Sequence, residues 1–322
     1  MNHASTRLKI SASRLTLLAM AALLTCTGAM AQPVGATAVR GQAQVAGQGN
    51  LTTVTTQNAA GTNHSVIDWR SFSIPASTIT RFEQPSAAST SINRVTGNNP
   101  SAIFGTLSSN GKIVLVNPAG IAVGAGALVD TAAFTASTLR MSDADALAGR
   151  MRFGDGQSVA GALTVDGRVV ARSGDIVLIA PAITAGSQGA LSALGGSVIL
   201  AAGQKVEITG RGLEGIRLEM QAPANSAVNL GTLGGDAVGV FAGTLKHSGL
   251  ISANAVTVEG GKVVLKAKGD NLVDGRITAS AGPKGGAIDV LGERVAVFGA
   301  AALDASGTSG GGQVTYEVYE VK

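Results

Sequence analysis

The chain has 322 residues, 45 of them Gly, with 3% aromatic, 14% charged, 45% hydrophobic and a single Cys. An ordinary domain carries about a quarter of its residues charged, so this balance excludes a disordered chain, and Gly without a three-residue period excludes collagen. Three of the 24 basic residues lie in the first 31, which hold no acidic residue; the remainder has 21 basic against 20 acidic, too even a balance to attract nucleic acid or an anionic membrane.

Those first residues read as a signal peptide. Arg7, Lys9 and Arg14 make a basic start, residues 15–24 an apolar run, and Ala29-Met30-Ala31 a cleavage site, giving a leader over 1–31. The apolar run is well short of the ~20 residues a bilayer requires. Lipoprotein cleavage at Cys26 is the alternative, and Thr25 argues against it because that cleavage wants a very small preceding residue. With Cys26 removed, no disulfide or thiolate metal site remains, and packing with backbone hydrogen bonds must hold the fold.

Residues 50–91 are irregular, rich in Thr, Ser and Asn, and contain the only Trp, Trp69. The expectation is an N-terminal cap that covers the first strand edge of a solenoid. Further on, Ser142-Asp143-Ala144-Asp145 reads as a helix cap with an acidic first turn, predicting one short surface helix of two to three turns.

A repeat dominates the rest. Gly precedes alternating β-formers at Gly111, Gly174, Gly196, Gly261, Gly286 and Gly312; the intervals include 22 (174 to 196), 25 (261 to 286) and 26 (286 to 312) residues. A second phrase, a short strand ending in Ala, opens at Gly189, Gly249, Gly275 and Ala301. Repeats of this length that cannot bury an inner face alone must stack as coils. A sandwich or barrel needs reversing turns, and only Asn110-Gly111 offers one. The fold class predicted is all-β, a parallel β-helix solenoid with an N-terminal cap. The last residues, Tyr316-Glu317-Val318-Tyr319-Glu320-Val321-Lys322, alternate like a final strand.

The ordered segments Ile67-Asp68-Trp69, Phe82-Glu83-Gln84-Pro85, Ile92-Asn93-Arg94-Val95, Pro100-Ser101, Ser109-Asn110-Gly111, Asn117-Pro118-Ala119-Gly120-Ile121 and Ala136-Ser137-Thr138-Leu139 resemble the N-terminal secretion domain of the filamentous haemagglutinin family. These are the exoproteins of two-partner secretion. The resemblance covers residues 38–210 well and implies a right-handed β-helix exported by the general secretory machinery to the periplasm. There a dedicated outer-membrane β-barrel transporter with periplasmic recognition domains would thread it to the surface of a Gram-negative cell or into the medium. It implies a secretion domain with its cap over 32–250 and further coils over 251–322. A host or neighbouring-cell surface is a further partner that the resemblance implies, in an adhesin-like or haemagglutinin-like role. The chain reads equally as a small complete exoprotein or a truncated remnant.

In the family an Asn-Pro-Asn-Gly-Ile motif is tied to secretion competence. Here the positions are Asn117, Pro118, Ala119, Gly120 and Ile121, with Ala119 replacing the second Asn. They are the candidate transporter-recognition residues, and a well-made β-turn is the bland reading of the same string. Asn93, Arg94, Asn110 and Gly111 are supporting positions; an inward Asn93 could ladder with neighbouring amides, and Arg94 could pair with a carboxylate.

No enzyme, cofactor or metal is expected. Gly307-Thr308-Ser309-Gly310-Gly311 fits a nucleophile elbow in letters alone, with no later His. His64 and His247 lie far apart without carboxylates at ligand spacing. The rival function is a β-helix polysaccharide lyase or hydrolase, which would cluster acids on one face. Asp166, Asp175, Asp289 and Asp304 occur singly.

Overall fold

A computed structural model describes residues 32–154, 159–255, 261–280 and 283–318. The leader with Cys26 and the last four residues lie outside the described residues. Medium aliphatic side chains in short runs between Gly corners cannot close a core within one run, so they stack. The chain winds as a parallel β-helix with three faces.

Face 1 carries Leu51–Gln57, Ile79–Glu83, Thr106–Ser109, Leu128–Thr131 and Arg168–Ala171, and continues through Leu250–Ala253 and Arg276–Thr278 to Ala302–Asp304. Face 2 carries His64–Trp69, Thr90–Val95, Lys112–Val116, Ala133–Ser137 and Ile176–Ala180, and continues through Lys262–Ala267 and Ala287–Gly292 to Gln313–Val318. Two long strands, Ala190–Ala202 and Thr232–Ala242, bend from face 1 into face 2. Face 3 runs from Ser101–Ile103 through Ile121–Val123 to Arg294–Val297 as an eight-stranded sheet. Every Gly-led phrase of the sequence lands on face 2 and every Ala-ended phrase on face 1. The stack passes residue 250 without a break.

Side chains alternate across each strand. Those facing the axis, such as Ile113, Leu115, Ile176, Leu178, Val198 and Leu200, are buried in one continuous core. Near the first coils this core admits its only large rings in contact: Trp69 meets Phe72 edge-on at 5.4 Å, and Phe72 lies 6.3 Å from Phe82.

Three expectations need correction. The cap is not residues 50–91, because Leu51–Gln57, His64–Trp69 and Ile79–Glu83 are already coils. Capping falls to Thr37–Arg40 and Gln42–Gln48, which run antiparallel to the first coil. The polar composition misled because Thr52, Thr56, Thr80 and Ser91 point inward and are buried. The helix, Asp143–Ala148, is shorter than two turns; Ser142 caps it through Asp145 N at 3.1 Å and it ends at Gly149. Beyond it Met151–Phe153 is a strand.

That strand belongs to an element the repeat pattern did not predict. Residues 138–162 and 203–225 leave the solenoid as two insertions. They build an antiparallel sheet of Met151–Phe153, Lys205–Ile208 and Ile216–Glu219. It lies on the outer side of face 2 and buries a second apolar cluster that includes Val114, Val116, Phe153, Val177, Ile179, Ile199, Val206 and Phe241. Face 2 is thus covered on both sides. Among the described residues no helix is long and apolar enough to cross a membrane.

Candidate functional site

The motif Asn117 to Ile121 turns the chain from face 2 into face 3. Pro118 has no N–H to give, which ends the ladder after Lys112–Val116. The Asn117 carboxamide then substitutes for the lost pairing. Its Nδ2 donates to Asn99 O at 3.0 Å and to Ser101 Oγ at 2.9 Å, while Oδ1 accepts from Ala119 N at 3.0 Å. The turn closes with Gly120 N donating to Asn117 O at 3.1 Å. Gly120 sits at φ +126, a region that side chains with a Cβ rarely adopt. Asn117, Gly120 and Ile121 are buried, and only Pro118 and Ala119 are partly exposed. These two help line a shallow recess with Thr96, Gly97, Asn98 and Arg140.

The supporting residues act in the two coils beneath. Asn93 faces the axis, fully buried. It does not ladder with another amide: Oδ1 accepts from the Trp69 indole at 3.0 Å, and Nδ2 donates to Ser91 O at 3.0 Å. Arg94 faces outward from the same strand. It grips Asp68 with Nε and Nη2, both at 2.9 Å, and reaches Asp143 at 2.6 Å with Nη1. Burial opposes its charge, and the bonds to Asp68 and then Asp143 outweigh that, so its pKa is raised. The side chain fastens the first turn of the inserted helix to two coils.

Asn110 is exposed but fully occupied. Its Nδ2 donates to Gln84 O at 2.7 Å and its Oδ1 accepts from Gln84 N at 2.8 Å, as a strand neighbour would. Gly111 allows this contact, because a Cβ there would lie 2.6 Å from the Gln84 amide carbon. Gln84, Asp68 and Asp143 complete these corners and were not among the sequence candidates. The structure brings Asn93 and Arg94 onto one strand beside that of Lys112–Val116, with Asn117 one residue past its end.

The acids that a lyase would need do not converge. Asp175 accepts from Ser197 N and Gly212 N, at 2.8 and 3.0 Å. Asp289 points outward on face 2, Asp304 outward on face 1, and Asp166 lies in the turn after Leu163–Val165. Ser309 sits in a turn that leads into the strand Gln313–Val318, with its N–H on Pro283 O. Among the described residues no group of three or more His, Cys, Asp or Glu could hold a metal. His247 is buried and pushed down to about 4, first by desolvation. Its Nδ1 accepts from Asn229 Nδ2 at 3.1 Å and its Nε2 donates to Arg276 O at 3.3 Å.

A capped parallel β-helix with this Asn-Pro corner defines a class, the β-helical secretion modules of exported proteins. The TPS (two-partner secretion) secretion domain model matches residues 29–311, and the chain belongs to that family. The crystal structure of the HMW1 secretion domain from Haemophilus influenzae superposes with a TM-score of 0.79 at 31% identity, covering 88% of this chain and 76% of that one. The filamentous hemagglutinin secretion domain shares the fold, with a TM-score of 0.50 at 17% identity over 89% of this chain and 99% of that one. A heme/hemopexin-binding protein of H. influenzae is 38% identical over 130 residues, 39% of this chain, and a second is 41% identical over 78 residues, 24% of it. The aligned regions span only 14% and 8% of those curated relatives. The chain is therefore the secretion domain of a two-partner secretion exoprotein, with an outer-membrane transporter as its partner and passage across the Gram-negative outer membrane as its route.

Proposed function

We propose that the transporter's periplasmic domains read this chain before it folds, through the segment that becomes the corner at Asn117, Pro118, Ala119, Gly120 and Ile121. Asn93, Arg94, Asn110 and Gly111 flank that segment. The observation that carries this reading is burial: Asn117, Gly120 and Ile121 are enclosed in the finished coil, where no partner reaches them. The same residues make the turn that closes this coil. One string then serves as an address while extended and as a corner once outside, and folding removes the address from the transporter.

The product acts at the cell surface or in the medium as a haemagglutinin-like, non-enzymatic module. The ordered motif string and the family match support that role, and the dispersal of the acids argues against carbohydrate cleavage.

The test compares export with folding. Asn117→Ala and Val198→Ala are each expressed with and without the cognate transporter, and medium and periplasm are probed. Both should lower the stability of the refolded protein, but only Asn117→Ala should strand the chain in the periplasm. Equal export defects at equal stability loss would leave the motif as a turn alone.

A further inference from the structure

The two ends of the solenoid are unlike. At the N-terminal end the antiparallel cap offers little to the axis; Ala43, Val45 and Gly47 are what it adds over Val54 and its neighbours. At the other end, no described strand pairs with the outer edges of Arg294–Val297, Ala302–Asp304 or Gln313–Val318. An uncovered edge is a template for another strand. Register with the coil beneath fixes which side chains face the axis. Val314 lies over Ile288, Tyr316 over Val290 and Val318 over Gly292. Ile288 and Val290 are wholly buried, whereas Val314, Tyr316 and Val318 are 38%, 52% and 62% exposed.

We propose that this end docks a second copy of the chain, tail to tail, about a two-fold axis perpendicular to the solenoid and passing through Tyr316. Antiparallel pairing centred there sets Tyr316 against the partner's Tyr316 and Val314 against the partner's Val318. All three apolar side chains then stay on the axis side, and Thr315 and Glu317 stay outside. A shift of one residue would instead bring Glu317 opposite Val314, an acid against the core.

The other two faces agree. A two-fold axis reverses the sense of winding, so the last strand of face 1 meets the last strand of face 3, antiparallel. With Leu303 opposite Val295, both toward the axis, Asp304 meets Arg294 on the outside. Arg294 is 71% exposed and already holds Asp270 of the coil beneath, a pair named here by its partners. A guanidinium has five N–H donors, enough for a second carboxylate. The pairing is isologous and closes at two copies. Head-to-tail stacking fits worse. It would press Tyr316 and Val318 onto the small residues of the cap, and face 3 offers only the bridge of Ile74 to Ile103 before its first strand.

Sedimentation equilibrium of the purified chain should give twice the monomer mass. Tyr316→Lys should give monomers with unchanged circular dichroism, since only the outermost coil is touched. Asp304→Arg should weaken the dimer about tenfold by setting like charges together, and adding Arg294→Asp should restore it. With Cys26→Ser removing the chain's one cysteine, Tyr316→Cys should cross-link on oxidation, because directly opposed residues have Cα atoms about 4.5–5.5 Å apart. Thr315→Cys should cross-link far more slowly. A monomer at every concentration, assembly that grows beyond two copies, or equal cross-linking at both positions would overturn the proposal. Should Tyr316→Lys unfold, failure of the charge exchange to restore the dimer would do the same.

Discussion

His247 shows how a polar side chain survives inside a coil. In the neutral form one ring nitrogen accepts from Asn229 and the other donates to Arg276 O; a protonated ring would turn Nδ1 into a donor facing a donor. Asn229 cannot simply turn its amide over, because its Oδ1 already accepts from Gly231 N at 3.1 Å. The folded pKa, about 4, lies below the ordinary 6.5. The unfolded chain therefore binds a proton that the folded chain refuses between those values. Stability from this group is complete above pH 6.5, falls as pH drops toward 4 and levels off below it, at about 1.4 kcal/mol per pH unit. In urea melts, the stability advantage of the natural chain over His247→Gln should shrink by about 2 kcal/mol between pH 7.5 and pH 5. An advantage that does not change with pH would contradict the neutral, buried ring. At the Asn-Pro corner, Asn117→Ala removes three hydrogen bonds and strands the Ala119 N–H, so a loss of about 1–3 kcal/mol is expected in the same melts.

Among the elements, the inserted sheet has the largest consequence. Phe153 is 2% exposed and packs in the cluster between that sheet and face 2. Phe153→Ala should cost about 3–5 kcal/mol through lost burial and the cavity left behind, and limited proteolysis should then cut near residues 150–160 before the coils. Loss spread evenly over the solenoid would mean that the insertion folds with it as one unit. The sheet was legible in the sequence only indirectly. Strands buried on one side alternate apolar with polar residues, as Thr106–Ser109 and Leu250–Ala253 do. The runs in Lys112–Val116 and Ile176–Ala180 are continuous and apolar, the mark of cover on both sides. The repeat phrases led to faces 1 and 2 because Gly or Ala punctuates them. Face 3 stayed hidden, since strands as short as Ser101–Ile103 and Ile121–Val123 carry no such mark. At the candidate site, Asn93, Arg94, Asn110 and Asn117 were legible as residues. Their partners Trp69, Asp68, Gln84 and Ser101 were not, because each lies on another coil, 16 to 26 residues away in sequence.

For the whole molecule, stacking makes stability nearly one-dimensional. Each coil touches only its neighbours, so opening should start where a neighbour is missing and spread inward. Both ends lack one, but differently: the first coil has its antiparallel cap, whereas the terminal strand Gln313–Val318 has a single partner. The middle coils add a second layer, since Ile176–Ala180 and the second half of Ala190–Ala202 lie beneath the inserted sheet. Native-state hydrogen exchange should therefore rank protection in three tiers. Amides of Ile176–Ala180 and 197–202 should exchange most slowly, those of the capped strand Leu51–Gln57 at an intermediate rate, and those of Gln313–Val318 fastest. Phe153→Ala should lower the first tier toward the second and leave the last unchanged, because the inserted sheet does not reach that coil. The order also bears on export. A chain whose most stable part is its middle must keep residues 112–202 unpaired until it has crossed, and the slow tier is the part that would jam the transporter if it formed early. Stabilising that tier in the periplasm, for example with an engineered disulfide between the adjacent positions 178 and 200, should block passage more than the same bond between 290 and 316. Equal blockage by both would mean that any folded coil stops transport, wherever it lies in the stack.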